Sequence, residues 1–535
     1  MKLDTTTSRA RVLVADSIAD EGIRFLEEYA DVTVSNGPTD TSAWQALSEV
    51  AAIVVRSATR IDANMIAAAP KLRVIGRAGI GVDNVDVEAA SRRGIVVVNA
   101  PTSVVTSAAE HTIALMLALL RHIPQAHASV AAGHWDRKHF VGTELRGKTI
   151  GIVGLGNIGA EVARRLMAFD VRLIAFDPYI GDEYAARLGI QLKSLDALVE
   201  LADVISIHVP LTAATRNLFG RERFDRMKPG CRLVNCARGG IVDETELIRA
   251  LADGRVAGAA LDVFLEEPPT NPDLLNSDRV VLTPHLGAST EEAQIAASIE
   301  VAQQIIAVLA GQPVRYAVNA PAILPESLAA LGPYLALGER LGFILAQMAD
   351  GPIASIEITY SGDIAELDIA PVRSSIVKGI LTPALPEHVN LMNALLLARN
   401  RGLQIVEARS STSNGMYANL LSLRIRTTAG FARELSGTAI GTEGHLVGVD
   451  SFSVDVLLSG GYLLFVQNTD QPGVVGKIGT LLGNGDVNIS SMQVGRIRPR
   501  GEAMMILAVD EPISPVLLQR LLAESPIRAA RLVKI

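Results

Sequence analysis

The sequence predicts an α/β protein built on doubly wound parallel sheets, and three observations predict it. The chain is 49% hydrophobic but only 4% aromatic, so its cores are filled by Ala, Val, Ile and Leu, as in strands buried on both faces. Apolar runs of strand length alternate with helical stretches through the first half. Within that alternation the run Thr149 to Val153 ends in Gly154-Leu155-Gly156-Asn157-Ile158-Gly159 and passes into a helix-like stretch, Ala160 to Leu166. At 535 residues the chain exceeds one hydrophobic core and divides into several domains.

From the start, Arg11 to Ala15 reads as a strand and Ala19 to Tyr29 as an amphipathic helix. Strands follow at Ala51 to Arg56, Leu72 to Arg77 and Gly94 to Asn99. The first two of these end in arginine, at the edge where open α/β sheets bind ligands, and Gly79 and Gly81 let backbone approach a ligand there. Pro101 breaks the pattern and marks a crossing between domains, ahead of a long apolar helix from Ser107 to Arg121. After the glycine run come strands at Val171 to Phe176, Val204 to Val209, Arg232 to Cys236, Gly258 to Val263 and Val280 to Thr283. A helical stretch from Thr290 to Ala310 returns to the first sheet, which makes the N-terminal unit discontinuous.

Pro313 to Pro333 reads as a Pro- and Ala-rich boundary, after which α/β patterning resumes at Ile353 to Tyr360, Leu403 to Ala408 and Leu421 to Thr427. No catalytic motif accompanies it. The last unit reads strand Tyr462 to Gln467, helix Gly473 to Leu482, strands Asn488 to Val494 and Ala503 to Val509, helix Pro515 to Ala523 and strand Ala530 to Val533. That order suits a small ferredoxin-like module. The expected domains are 1–104 with 286–317, 105–285, 318–458 and 459–535.

A formal net charge of -8 excludes a global basic field for nucleic acid or an anionic membrane. The first seven residues hold no apolar signal core, and the apolar stretch Ile113 to Leu120 is too short to span a bilayer, so a soluble cytoplasmic protein is expected. Cys231 and Cys236 stand at an odd offset in one strand-like run, on opposite faces and about 16 Å apart, which prevents pairing and suits buried thiols in a reducing compartment. No metal-ligand spacing is present, and no metal is expected.

An apolar strand, a Gly-x-Gly-x-x-Gly loop and a helix bring backbone N–H groups and a positive dipole end up to a pyrophosphate. Asp177 closes the next strand about twenty residues on, where a carboxylate accepts from both ribose hydroxyls and repels a 2′-phosphate, favouring NAD over NADP. A nicotinamide enzyme that oxidises an alcohol also needs a base for the hydroxyl proton and a cation for the substrate acid. Arg238, in Asn235-Cys236-Ala237-Arg238-Gly239-Gly240, offers a planar fork for a carboxylate. His285, in Thr283-Pro284-His285, is the acid/base candidate, and Glu267, in Glu266-Glu267-Pro268-Pro269, can accept from its other ring nitrogen, favour imidazolium and orient the ring. Each alone has an ordinary explanation as an ion pair, a loop histidine or a solvated acid; together at successive edges of one nucleotide fold they describe a catalytic set.

These motifs, in this order, resemble the D-2-hydroxyacid dehydrogenase family. Close matches at Val55 to Thr59, Arg77 to Gly79, Gly81 to Asp86, Thr143 to Leu145 and His285 to Thr290 point to its long phosphoglycerate-oxidising branch, and the resemblance extends to an intervening domain and a terminal module like an ACT domain. It implies a Rossmann-type nucleotide domain inserted in a flavodoxin-like substrate domain. It also implies reversible NAD-dependent oxidation of 3-phospho-D-glycerate to 3-phosphohydroxypyruvate, the first step of phosphorylated L-serine biosynthesis, with L-serine as effector. A homotetramer with a dimer through the nucleotide domain is implied as well.

By the same resemblance Gly154, Gly156, Asn157, Ile158 and Gly159 face the pyrophosphate and Asp177 the adenosine ribose. Val209, Cys236, Ala237, Arg238 and Asp262 line the nucleotide and nicotinamide side, which His285, Gly287 and Ala288 close. Arg56 and Arg77 bind substrate phosphate or carboxylate, and Arg137 with Lys138 reaches a neighbouring subunit's site or stays a solvated charge run. In the last module Asn468, Asp470 and Asn488 form the effector loop, an acid for the amino group and donors for the carboxylate of an amino acid held between two modules. The sequence departs from the family at Ile80 and Val104, where polar residues are usual, which puts side-chain contacts there in doubt. Another hydroxyacid reductase, or a non-catalytic NAD(H)-sensing protein resembling a corepressor, is the alternative reading.

Overall fold

The computed structural model describes residues 9–35, 44–312, 314–320, 325–385, 389–412 and 417–535. The first seven residues and Pro313, both used above, lie outside them.

The first sheet holds β1 (Arg11–Val14), β2 (Asp31–Val34), β3 (Ala52–Val55), β4 (Val74–Arg77) and β5 (Val96–Asn99), all parallel, in the order β2-β1-β3-β4-β5. This is the flavodoxin-like order. β2 went unseen in the sequence, because an exposed edge strand with one charged and one hydroxylic residue in four lacks the continuous apolar run. The returning helix Glu291–Leu309 packs on this sheet: a Cβ on Gly76 would lie 2.5 Å from Val301, and Gly22 meets Ser298 as closely. The N-terminal unit is therefore completed by chain from beyond the nucleotide unit.

The second sheet holds β6 (Thr149–Val153), β7 (Arg172–Phe176), β8 (Gln191–Leu192), β9 (Val204–Ile207), β10 (Cys231–Asn235), β11 (Val256–Leu261) and β12 (Val280–Leu282). Their parallel order is β12-β11-β10-β9-β6-β7-β8, a Rossmann arrangement that reverses direction between β6 and β9. The two-residue β8 and the helix Ile123–Ala131, which buries none of its residues, are additions to the sequence reading. Cys231 and Cys236 are both free, and burial pushes both thiols up to about 12.

The last part of the expected Pro-rich boundary, from Pro325 to Pro333, is the start of a 24-residue helix, Pro325–Met348, with Pro333 inside it. Its Leu337, Leu341, Ile344 and Leu345 are buried, and it crosses the helix Ala370–Leu381 closely enough that a Cβ on Gly342 would meet the Ile376 carbonyl at 2.3 Å. That burial outweighs the hydrogen bond Pro333 removes. Six strands follow: β13 (Ile353–Gly362), β14 (Gln404–Ser410), β15 (Asn419–Thr427), β16 (Ala432–Ile440), β17 (Glu443–Val449) and β18 (Phe452–Leu457), ordered β14-β13-β15-β16-β17-β18. The last sheet contains β19 (Tyr462–Thr469), β20 (Ile489–Arg496), β21 (Glu502–Val509) and β22 (Ile527–Lys534) in the antiparallel order β20-β21-β19-β22 expected of a ferredoxin-like module. One face shares a core with the preceding sheet, through Leu463, Phe465, Met504, Ile506 and Val533. Among the described residues no helix is long and apolar enough to cross a membrane.

Candidate active site

The reversal between β6 and β9 opens a crevice at the carboxyl ends of the second sheet. Gly154, at φ 94°, passes so close to the loop after β9 that a Cβ would lie 2.6 Å from the His208 carbonyl, and a Cβ on Gly159 would lie 2.0 Å from the Gly154 carbonyl. A Cβ on Gly156, by contrast, would meet nothing within 4 Å. Gly156 caps the helix Asn157–Leu166, so the space beside the start of that helix is open, as the cradle for a pyrophosphate requires. A cleft of about 550 Å³ continues from Gly154 and Gly156 past Asp177, His208 and Val209. Asp177 accepts from the Leu155 N–H (2.9 Å) and from the Tyr179 N–H (2.9 Å), which fixes its carboxylate between the glycine loop and the strand end. These residues fit a dinucleotide. His208 was not singled out in the sequence; burial holds its imidazole down to about 4, so it stands neutral against the Ser206 hydroxyl.

A second cleft of about 440 Å³ lies between the two sheets. Arg56, Arg77, Glu267, His285 and Ala288 line it, with Val104, one of the two departures from the family pattern. Ile80, the other, contributes its carbonyl to the Asn99 side chain (2.6 Å). The loop carrying Arg56 is held by buried Asp16, whose carboxylate accepts from the N–H groups of Arg56, Ala58 and Thr59. Arg77 is lowered to about 10 by burial and by the Arg238 and Arg56 charges, and its Nε has no partner. A buried cation crowded by like charges is the electrostatic signature of a site built for an anion. Gly79 makes room for it, since a Cβ there would lie 1.8 Å from Arg77 Nη1.

Arg238 stands beside this cleft. Asn235 braces its turn by donating to the Arg238 carbonyl (3.0 Å) and accepting from the Ala237 N–H (3.0 Å). The guanidinium lies over Gly81 and donates through Nε to Asp83 (3.1 Å), a residue the sequence reading passed over.

His285 Nδ1 lies 2.8 Å from Glu267 Oε2, and both side chains are partly exposed to the cleft. Burial alone would raise the Glu267 carboxyl; the hydrogen bond and charge of His285, with the Phe264 N–H, bring it below its ordinary value. The backbone of His285 is left-handed, at φ 57°, and is held by its N–H to the Asp262 carbonyl (2.9 Å). Asp262 itself is fully buried, with its carboxylate accepting from Leu286, Gly287 and Thr283.

The remaining candidates lie elsewhere. Arg137 and Lys138 are exposed beside Trp135 in the loop after the helix Ile123–Ala131. In the last sheet Asp470 accepts from Arg496 (3.1 Å) and from the Arg500 N–H, which lower its carboxyl, while Asn488 donates to Asp510 (2.7 Å) at the opposite end of the strands. Asn468 is buried with its side-chain oxygen unpartnered.

Three family models match: D-isomer specific 2-hydroxyacid dehydrogenase, NAD binding domain, over residues 113–287; D-3-phosphoglycerate dehydrogenase intervening domain over 330–450; and ACT domain over 462–525. A D-3-phosphoglycerate dehydrogenase of Synechocystis is 44% identical over 527 residues, covering 98% of this chain and 95% of the relative. One from Methanocaldococcus jannaschii is 43% identical over 514 residues, covering 96% and 97%. Among solved structures, the D-mandelate dehydrogenase of Rhodotorula graminis superposes with a TM-score of 0.55 at 28% identity, over 60% of this chain and all of that one. The TT0316 protein of Thermus thermophilus does so at 0.53 and 33%, over 58% and 99%.

Proposed function

The chain belongs to the D-3-phosphoglycerate dehydrogenase family of NAD-dependent oxidoreductases, and from that premise we propose how its residues interconvert 3-phospho-D-glycerate and 3-phosphohydroxypyruvate. The observation that carries the reading is the convergence of Arg56, Arg77, Glu267 and His285 on one cleft between the sheets, with Arg238 at its side. Arg56 and Arg77 hold the phosphate dianion, which relieves their mutual repulsion. Arg238 presents its fork to the carboxylate and the C2 oxygen. In the oxidative direction His285 takes the hydroxyl proton, and ionised Glu267 stabilises the imidazolium that results. In reduction His285 returns that proton to the carbonyl oxygen. NAD, held along the glycine loop with its ribose on Asp177, supplies the acceptor for the hydride leaving C2.

The test compares NADH oxidation with 3-phosphohydroxypyruvate and with hydroxypyruvate. A strong preference for the phosphorylated acid supports the assignment; equal kcat/KM values overturn it and leave a general hydroxyacid reductase.

The same reading extends to assembly and regulation. Ile123, Val130, Trp135 and Val141 expose apolar surface on an arm of the nucleotide unit, which suits a second copy and would carry Arg137 and Lys138 with it. We take the enzyme as a cytoplasmic homotetramer with the domain limits given above, inhibited by L-serine bound between ACT modules near Asn468, Asp470 and Asn488. Ligand-dependent thermal stabilisation by serine and sedimentation of the full chain test these points.

A further inference from the structure

The chain crosses between the first two sheets twice, and both crossings meet at the loop that carries His285. The outward crossing is the helix Val105–Leu120, which leaves the first sheet after β5 and buries Leu115, Met116, Leu119 and Leu120 in the nucleotide unit. The return is the loop from Thr283 into the helix Glu291–Leu309. Thr102 and Ser103, just before the outward helix, both donate to Glu300 on the returning one.

The outward helix also grips the loop directly, one turn apart. Ser107 donates from its hydroxyl to the Gly287 carbonyl at 2.8 Å. Four residues on, so on the same helix face, His111 Nε2 lies 3.1 Å from Asp262 Oδ1 and 3.3 Å from the Thr283 hydroxyl. Asp262 is the knot beneath the loop. It has no exposed surface, and among the described residues His111 is the one side chain able to bring it a positive charge by hydrogen bond. Without His111 this buried carboxylate would keep only the Leu286 and Gly287 N–H groups and the neutral Thr283 hydroxyl, with no side chain among the described residues to offset its charge.

We propose that His111, with Ser107, is a positioning residue for this reaction. By holding Asp262 and Gly287 it fixes the left-handed turn at His285 and ties the placement of the acid/base to the helix that joins the two domains. It acts through Asp262 and touches neither substrate nor cofactor. The chemistry assigned to His285 rests on the proposed function; the grip itself does not.

The experiment uses the full-length enzyme and three variants. His111→Leu, which removes the donor, is expected to lower kcat for 3-phosphohydroxypyruvate reduction by about 10- to 100-fold, because charge-assisted bonds of this kind carry such factors. His111→Gln keeps an N–H near the position of Nε2 and is expected to recover most of the rate. Hydrogen exchange, which needs no activity, should show the Leu286 and Gly287 amides exchanging faster in His111→Leu and near normally in His111→Gln. Unchanged exchange in a folded His111→Leu variant overturns the proposal, as does equal loss in the Leu and Gln variants. If His111→Leu does not fold, Ser107→Ala decides: faster exchange around Gly287 with a several-fold drop in kcat supports the grip, and wild-type values for both refute it. Altered exchange with no turnover of any hydroxyacid, even in wild type, would instead count against the dehydrogenase reading.

Discussion

Arg238 and Asp83 are joined across the domain cleft by a hydrogen bond of 3.1 Å from the guanidinium Nε to the carboxylate. Asp83 belongs to the loop after β4 and Arg238 to the turn after β10, so the fork is oriented by the sheet proposed to bind substrate rather than by its own. The Asp83 carboxylate is 70% exposed, which limits this pair to about 1 kcal/mol.

Arg238→Lys and Asp83→Ala should therefore differ in kind. Lysine loses the planar fork, and kcat/KM for 3-phosphohydroxypyruvate is expected to fall by about 100-fold, the equivalent of about 1.5–3 kcal/mol for charged hydrogen bonds. Asp83→Ala removes only the orienting contact and should cost less than about 10-fold. Steady-state kinetics on both variants decide it, and a larger loss from Asp83→Ala would place Asp83 in a more direct role.

Glu267 sets a pH dependence whose sign follows from its lowered carboxyl. A depressed value in the folded protein means that its contribution is complete above the ordinary value of 4.5 and is lost as pH falls through the depressed one. The Glu267 carboxylate accordingly stays ionised through mildly acid conditions. Glu267→Gln removes the charge that stabilises the imidazolium, so the NADH-dependent reduction, which needs a proton on His285, should lose its alkaline range first. A rate profile from about pH 5 to about pH 9 is expected to show the basic limb moved to lower pH. An unmoved limb would remove Glu267 from the proton inventory.

Asp177 tests the choice of cofactor. Its carboxylate is fixed by the Leu155 and Tyr179 N–H groups, so Asp177→Ala loosens the glycine loop as well as removing the acid. KM for NADH is expected to rise about 10-fold or more, with a smaller change for NADPH, because the repulsion of a 2′-phosphate disappears with the charge. Equal rises for both cofactors would mean that the loop alone is affected.

Gly79→Ala should separate phosphate binding from the chemistry. Its φ of 145° and the 1.8 Å approach to Arg77 Nη1 require the arginine to move. KM for 3-phosphohydroxypyruvate is expected to rise about 10-fold or more, while turnover of hydroxypyruvate at saturation changes little. Matching losses on both acids would assign Arg77 to the carboxylate instead.

Much of this architecture is legible from local pattern, and what is not legible depends on contacts between distant residues. Apart from β2 and β8, the strands of both parallel sheets announce themselves as apolar runs, and the glycine loop, Arg238, Glu267 and His285 carry their chemistry in short motifs. Asp83, Asp16 and His111 carry none: each is an ordinary polar residue until folding brings Arg238, the Arg56 loop or Asp262 within hydrogen-bond reach. β2 and the strands β16 to β18 have exposed faces or polar alternation, which weakens the same signal. Pro333 misled for a different reason, since the buried leucines around it recover more than one lost backbone bond.

The proposed effector site yields a complementation test. Asp470 follows the end of β19 that pairs with Glu502, whereas Asn488 precedes the β20 end that pairs with Val509. Eight residues of strand separate those ends, roughly 25 Å, so one module cannot bring both side chains to one amino acid. Two modules related by a two-fold axis can, with Asp470 of one facing Asn488 of the other. Asp470→Ala and Asn488→Ala are each expected to abolish the serine-induced change in activity and in melting temperature. Mixing the two variants and allowing subunits to exchange should restore part of the response, because a mixed pair holds one site with both residues altered and one with neither. If the mixture stays as insensitive as the single variants while exchange is confirmed, the two residues do not share a ligand, and the effector assignment to this pair is wrong.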